Sequence, residues 1–119
     1  MFNRQDSITI VGNDVIVEGS IKTKHTAEIF GAIVCNNERA IDSGKSVIVH
    51  ESASVQGSIY AEEKVCVYGS VQGNIESKGI VSLGENANVQ GDIVTTTLVA
   101  AAGSTINGRV QCKKEEGGN

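Results

Sequence analysis

A chain of 119 residues has room for one domain, and 39% apolar residues are enough to bury a core. Aromatics make up only 3% and proline is absent, so that core must be built from Val, Ile, Ala and Gly. The formal charge of −4, with no basic stripe interleaved with aromatics, argues against nucleic acid as the main partner. No run of about 18 apolar residues is present to span a membrane, and no apolar N-terminal run to act as a signal peptide, so the expected compartment is the cytoplasm.

Residues 1–7 form a polar leader with one bulky apolar residue, Phe2, and one nearby cation, Arg4. Composition alone reads it as a disordered terminus. From Thr9 onward the chain repeats a five-residue phrase: aliphatic, polar, Gly, polar, aliphatic. It runs Val17 to Ile21, Val55 to Ile59, Val71 to Ile75, Val89 to Ile93 and Ile106 to Val110. A worn copy, Ile33 to Asn37, has Cys35 in the glycine slot. The slots fall at 19, 35, 57, 73, 91 and 108, in steps of 16, 22, 16, 18 and 17. A fixed period of about 17 over nearly the whole chain marks a repeat architecture.

Each phrase ends a longer block. An eleven-residue form fits Thr9 to Gly19, Val47 to Gly57, Val81 to Gly91 and Leu98 to Gly108. A nine-residue form fits Ala27 to Cys35 and Val65 to Gly73, where Gly31 and Gly69 replace the wider corner. Links between blocks are six or seven residues, except Asn36 to Ser46, which at eleven reads as a surface insertion. Apolar and polar residues alternate within the blocks, as in Val65-Cys66-Val67-Tyr68, so each holds strands about three to five residues long. The chain predicts an all-β fold: a single-stranded, right-handed β-helix (β-solenoid) of triangular cross-section with about six coils. The drifting step, against a strict hexapeptide register, favours the right-handed form. The expected inward positions are Val17, Gly19, Ile21, Ile33, Val47, Val49, Val55, Val65, Val67, Val71, Ile75, Val81, Leu83, Val89, Ile93, Leu98 and Ile106. The repeated glycines Gly19, Gly57, Gly73, Gly91 and Gly108 suit a bend where a Cβ would crowd a narrow lumen. The domain division is a leader at 1–7, a β-helix polymerisation domain at 8–112, and a charged, disordered tail at 113–119.

The residues suggest no enzyme, no cofactor and no metal. Cys35, Cys66 and Cys112 form no Cys-x-x-Cys pair. Alternation turns Cys35 and Cys112 inward, as core filler, and Cys66 outward. His25 and His50 have no ligand spacing, and His50 reads as a surface histidine. Glu62-Glu63 and Glu115-Glu116 are solvated charges, because neighbours on a strand face opposite ways. No glycine opens a phosphate-binding loop, so no nucleotide partner is expected.

A solenoid ends in unpaired strand edges and exposed core, which template pairing unless capped. This chain shows no amphipathic cap helix and no end proline. Its ends are therefore expected to meet other copies, through Val11, Val15, Val17 and Ile21 at one end and Leu98, Ile106 and Val110 at the other. Heterologous contacts that do not close make filaments.

The iterated Val-x-Gly-x-Ile phrase, the coil period and the Val65 to Gly73 strand pair, across roughly residues 9–110, resemble the bactofilin family. The resemblance implies a right-handed, three-faced β-helix that polymerises without nucleotide into non-polar filaments. It implies a bacterial cytoskeletal scaffold, cytoplasmic and peripheral at the inner membrane, that organises cell-wall-modifying enzymes or their regulators and shapes the cell. It also implies that Met1, Phe2 and Arg4 belong to a membrane-targeting leader. The competing readings are a trimeric left-handed β-helix enzyme, an acyltransferase or carbonic-anhydrase-like, and a passive solenoid adaptor. The enzyme would need histidines converging at a subunit face. The adaptor would use Asn36 to Ser46 or the turn Thr95-Thr96-Thr97, read as outward.

Overall fold

The structure is a computed structural model that describes residues 8–113. The leader positions Met1, Phe2 and Arg4, and the tail beyond Lys113, lie outside the described residues.

The chain winds through six coils. Coil one holds β1 (Ile8–Val11), β2 (Ile16–Glu18) and β3 (Ile21–Thr23). Coil two holds β4 (Thr26–Ile29) and a long β5 (Ala32–Ser43), and coil three β6 (Ser46–Val49) and β7 (Ser54–Ala61). Coil four holds β8 (Lys64–Val67), β9 (Ser70–Gln72) and β10 (Ile75–Ser77). Coil five holds β11 (Ile80–Leu83), β12 (Asn88–Gln90) and β13 (Ile93–Thr95). Coil six holds β14 (Thr97–Ala100), β15 (Thr105–Asn107) and β16 (Val110–Cys112).

Every pairing is parallel and joins successive coils, giving three faces. The first is β1-β4-β6-β8-β11-β14. The second runs β2, β5, β7, β9, β12, β15 and the third β3, β5, β7, β10, β13, β16, with β5 and β7 bending across the corner to serve both. On the first face Thr9 pairs with Ala27, then Val47, Val65, Val81 and Leu98, so successive circuits take 18, 20, 18, 16 and 17 residues.

The short strands hold because equivalent side chains stack. The second face lines up Ile33, Val55, Val71 and Val89 inside, and the third Ile41, Ile59, Ile75 and Ile93, all buried. β-Branched side chains stack well on such a pleated surface, and each fully buried one contributes roughly 1.5–3 kcal/mol. Corners between the first and second faces come in two widths. Coils two and four take the short form, at Gly31 and Gly69. A Cβ on Gly31 would strike the carbonyl oxygens of Gly12 and Val15, and one on Gly69 that of His50.

Several sequence expectations change. Asn36 to Ser46 is not a loop between blocks: residues 39–43 continue β5 as the third-face strand of coil two, pairing Ile41 with Ile21 and Ile59. The extra residues sit at a register shift between Val34 and Ile41. Buried Ala40 refills the corner that the missing glycine leaves. Thr95 is not outward. It is buried in the lumen, where its one hydroxyl proton is within reach of the carbonyls of both Gly79 (2.9 Å) and Thr97 (3.1 Å) at the corner. Cys66 occupies an outward row yet is buried, between Ile48 and Ser82 of the adjoining coils. Glu62 and Glu63 sit at a bend rather than on a strand, and both are exposed.

Gly19 faces solvent, not the lumen, and the glycine slots mark the corner between the second and third faces. Their reason is different from crowding in the lumen. Each has positive φ, from 131° at Gly19 to 155° at Gly108, a region only glycine enters freely. A Cβ on Gly73 would meet the carbonyl oxygen of Gly57, one on Gly91 that of Gly73, and one on Gly108 that of Gly91. The crowding runs along the stack, coil against coil.

Candidate polymer interface

The two ends of the stack follow from the same rows. In coil one, Val17 continues the Ile33-Val55-Val71-Val89 row and Ile21 the row of isoleucines, yet both are only partly buried, because among the described residues no further coil packs beyond them. Val15 is 47% exposed, whereas its counterparts at the wide corners, Ala53 and Ala87, are buried. Val11 differs: paired with Ile29 of coil two, it is buried. In coil six, Leu98 and Ile106 are partly buried and Val110 is 41% exposed, whereas Ile93, directly below it, is at 0%. Cys112, expected inward, ends the lumen row of Thr23, Ser43, Ala61, Ser77 and Thr95 and is exposed there.

The backbone is open at the same places. Among the described residues, β1, β2 and β3 pair on one side only, as do β14, β15 and β16 at the other end. Each end therefore combines an apolar cross-section with three unpaired strand edges, which favours strand pairing with another chain.

A polar ladder runs beside the glycines and was missed from sequence. The residue after the slot reaches the next coil: Asn74 Oδ1 accepts from the Asp92 backbone N–H at 2.9 Å, and Asp92 Oδ1 from that of Arg109 at 3.0 Å. The signal was the polar residue that follows the slot in every phrase. At the last rung the acceptor becomes Arg109, whose guanidinium only donates.

Among the described residues, His50, Glu51 and Ser52 are engaged in separate contacts. His50 Nε2 lies 3.2 Å from Glu28 Oε1, and its ring stacks on Phe30 at 4.0 Å, with planes 6° apart. An open groove of about 460 Å³ is lined by His50, Glu51, Ser52 and Tyr68. The Ser52 hydroxyl is engaged with the Phe30 carbonyl at 2.9 Å, and Glu51 with Asn86 at 3.4 Å. Among the described residues no three His, Cys, Asp or Glu side chains gather as a metal site, and no helix is long and apolar enough to cross a membrane. Arg39 fastens the enlarged corner of coil two, stacking over Tyr60 at 4.4 Å and pairing with Asp42 at 3.3 Å. Burial pushes the Tyr60 hydroxyl above its usual 10.0, and its hydrogen bond to Glu62 (3.1 Å) adds to the shift.

Comparison with known proteins agrees with this geometry. The chain is 27% identical over 108 residues to bactofilin BacO of Myxococcus xanthus (strain DK1622), covering 91% of this chain and 82% of that protein. No solved structure matches it. The family model described as "Bactofilin: Polymer-forming cytoskeletal" matches residues 9–111, the whole run of coils. With that match across six stacked coils and two open ends, the chain belongs to the bactofilin family.

Proposed function

We propose that this chain builds a nucleotide-independent, non-polar cytoskeletal filament by end-to-end stacking of its β-helix. The observation that carries the reading is the pair of open cross-sections: the aliphatic rows fully buried inside the rod are half-exposed at Val15 and Val110. Closing them against another copy extends the same packing that holds the coils together. The arginine at the last rung supports opposed rather than head-to-tail contacts. In a head-to-tail stack Arg109 would stand where Asn74 and Asp92 supply acceptors to the following coil.

The filament works as a scaffold at the inner membrane, holding cell-wall-modifying enzymes or their regulators. The leader, with Met1, Phe2 and Arg4, supports the membrane part. One aromatic and one cation bind a bilayer weakly, and a filament displaying many copies gains avidity. Negative-stain microscopy of the purified chain without nucleotide tests the polymer. Uniform filaments a few nanometres wide are expected, and discrete trimers would send the reading back to an enzyme. Deleting Met1 to Gln5 is expected to release filaments from liposomes without dissolving them; equal binding by the truncated chain would remove the leader from the account.

A further inference from the structure

The outer side of the first face is unusually apolar for a surface. Its two outward rows are Ile8, Thr26, Ser46, Lys64, Ile80, Thr97 and Ile10, Glu28, Ile48, Cys66, Ser82, Val99. Four of its aliphatic residues are well exposed: Ile8 50%, Ile10 61%, Ile80 39% and Val99 54%. They form two patches at opposite ends of the face, Ile8 and Ile10 in coil one and Ile80 and Val99 in coils five and six, and exposed apolar patches mark contact surfaces. The other two faces turn mostly polar residues outward in coils three to six, such as Gln56, Gln72, Gln90 and Glu76.

We propose that this face is a lateral contact between filaments, and that its occupant is a second copy of the chain, packed face to face with its stack reversed. The proposal rests on the end-to-end polymer above. Place a two-fold axis parallel to the strands, between coils three and four. Coil one then faces coil six, coil two faces five, and three faces four. Ile10 meets Val99, Ile80 meets Thr26, and Ile48 meets Cys66, so ridges fall on apolar or smaller partners. No like charges meet. Lys64, which makes no ion pair among the described residues, stands opposite Ser46. It lies one coil and one residue pair from the partner's Glu28, roughly 8 Å in the plane and within the combined reach of the two side chains. Glu28 is already fixed in place by His50 at 3.2 Å.

Area decides when this contact forms. Six coils at about 4.8 Å by four residues at about 3.3 Å give roughly 29 by 13 Å, under about 400 Å² per copy. A stable pair of proteins needs about 800 Å² per partner. Single protomers therefore stay apart, and filaments zip together because each adds one contact per subunit. A phospholipid surface fits less well: the face carries one lysine and one glutamate on a chain of net charge −4, with no basic cluster to meet anionic headgroups.

The test uses the full-length chain, microscopy and sedimentation, with Ile80→Lys, Lys64→Glu and the exchange Lys64→Glu/Glu28→Lys. Wild-type filaments are expected to run in pairs. Ile80→Lys should leave single filaments of normal length, with the paired fraction down about tenfold or more. Lys64→Glu should reduce pairing and the exchange should restore it, a recovery that damage to the fold would not produce. Unchanged pairing in Ile80→Lys and Lys64→Glu overturns the proposal. Wild-type filaments that stay single at every concentration also overturn it while leaving end stacking intact. A wild type with no filaments removes end stacking, and the lateral contact with it. Face-to-face dimers of a non-polymerising Val17→Glu chain would refute the area reasoning. Flotation with phosphatidylglycerol vesicles that Ile80→Lys abolishes would reassign the face to lipid.

Discussion

Coil four and coil six carry nearly the same phrase, Val71-Gln72-Gly73-Asn74-Ile75 and Ile106-Asn107-Gly108-Arg109-Val110, yet they differ in what it does. In coil four Val71 and Ile75 are at 0% exposure, whereas in coil six Ile106 is only partly buried and Val110 is 41% exposed. The pattern of aliphatic, polar, Gly, polar, aliphatic and the backbone path match; the aliphatic positions differ in the number of neighbouring coils. Burial in a stacked repeat is thus a property of the junction and not of the rung. Among the described residues the end rungs are interior rungs lacking a neighbour, and each surplus aliphatic residue there favours another copy.

The harshest way to break the comparison is one charge in the same row at two depths. Val71→Asp places an unpaired carboxylate between two coils, and a loss of about 4 kcal/mol or more is expected, read as collapse of the thermal unfolding transition. Val17→Glu, at the open end of that row, can turn its carboxylate to water. It should cost about 1–2 kcal/mol, keep the β-sheet circular dichroism spectrum, and abolish filaments. Ile106→Lys should do the same at the other end. If either variant still forms filaments with its coils intact, stacking through these ends is the wrong model.

Glycine sharpens the contrast. Gly73 has φ 152° and no room for a Cβ beside the Gly57 carbonyl, whereas Gly19 has φ 131° and nothing within 4 Å. Gly73→Ala should lose about 3 kcal/mol or more by denaturant melt, from strain plus a backbone clash, and Gly19→Ala about 1–2 kcal/mol from conformation alone. Equal losses would mean the coils can spread, and that the carbonyl stack does not set their spacing.

The smallest effect belongs to Tyr60. Burial first, then Glu62, holds its hydroxyl in the neutral form. Its folded pKa lies above the unfolded value, so the stabilisation is complete below pH 10 and is lost as pH rises through the folded pKa. An ultraviolet absorbance titration should show Tyr60 ionising late, and Glu62→Gln should bring it back toward 10.0. A late tyrosine that persists in Glu62→Gln would leave burial as the whole cause.

Much of this was legible because the repeat was. Period-two alternation in Val47-Ile48-Val49 and Val65-Cys66-Val67 marked strands, and Gly31 and Gly69 marked the short corners. Legibility failed wherever a residue's fate depends on another coil. Cys66 alternates outward correctly, and it is buried only because Ile48 and Ser82 flank it. Nothing local ties Phe30 to His50, 20 residues on, until the coils bring the rings to 4.0 Å. Asn36 to Ser46 lacks the phrase, so its strand was hidden until pairing with Ile21 and Ile59 revealed it.

The sequence by itself determined the coil, because period, β-branched rows and positive-φ glycines are local demands that every rung but the second states again. Only the tertiary structure decided which rungs are closed and which are open, which outward row is greasy, and what the glycines avoid. Those depend on contacts between residues about 17 apart, and such contacts exist only once one coil lies on the next.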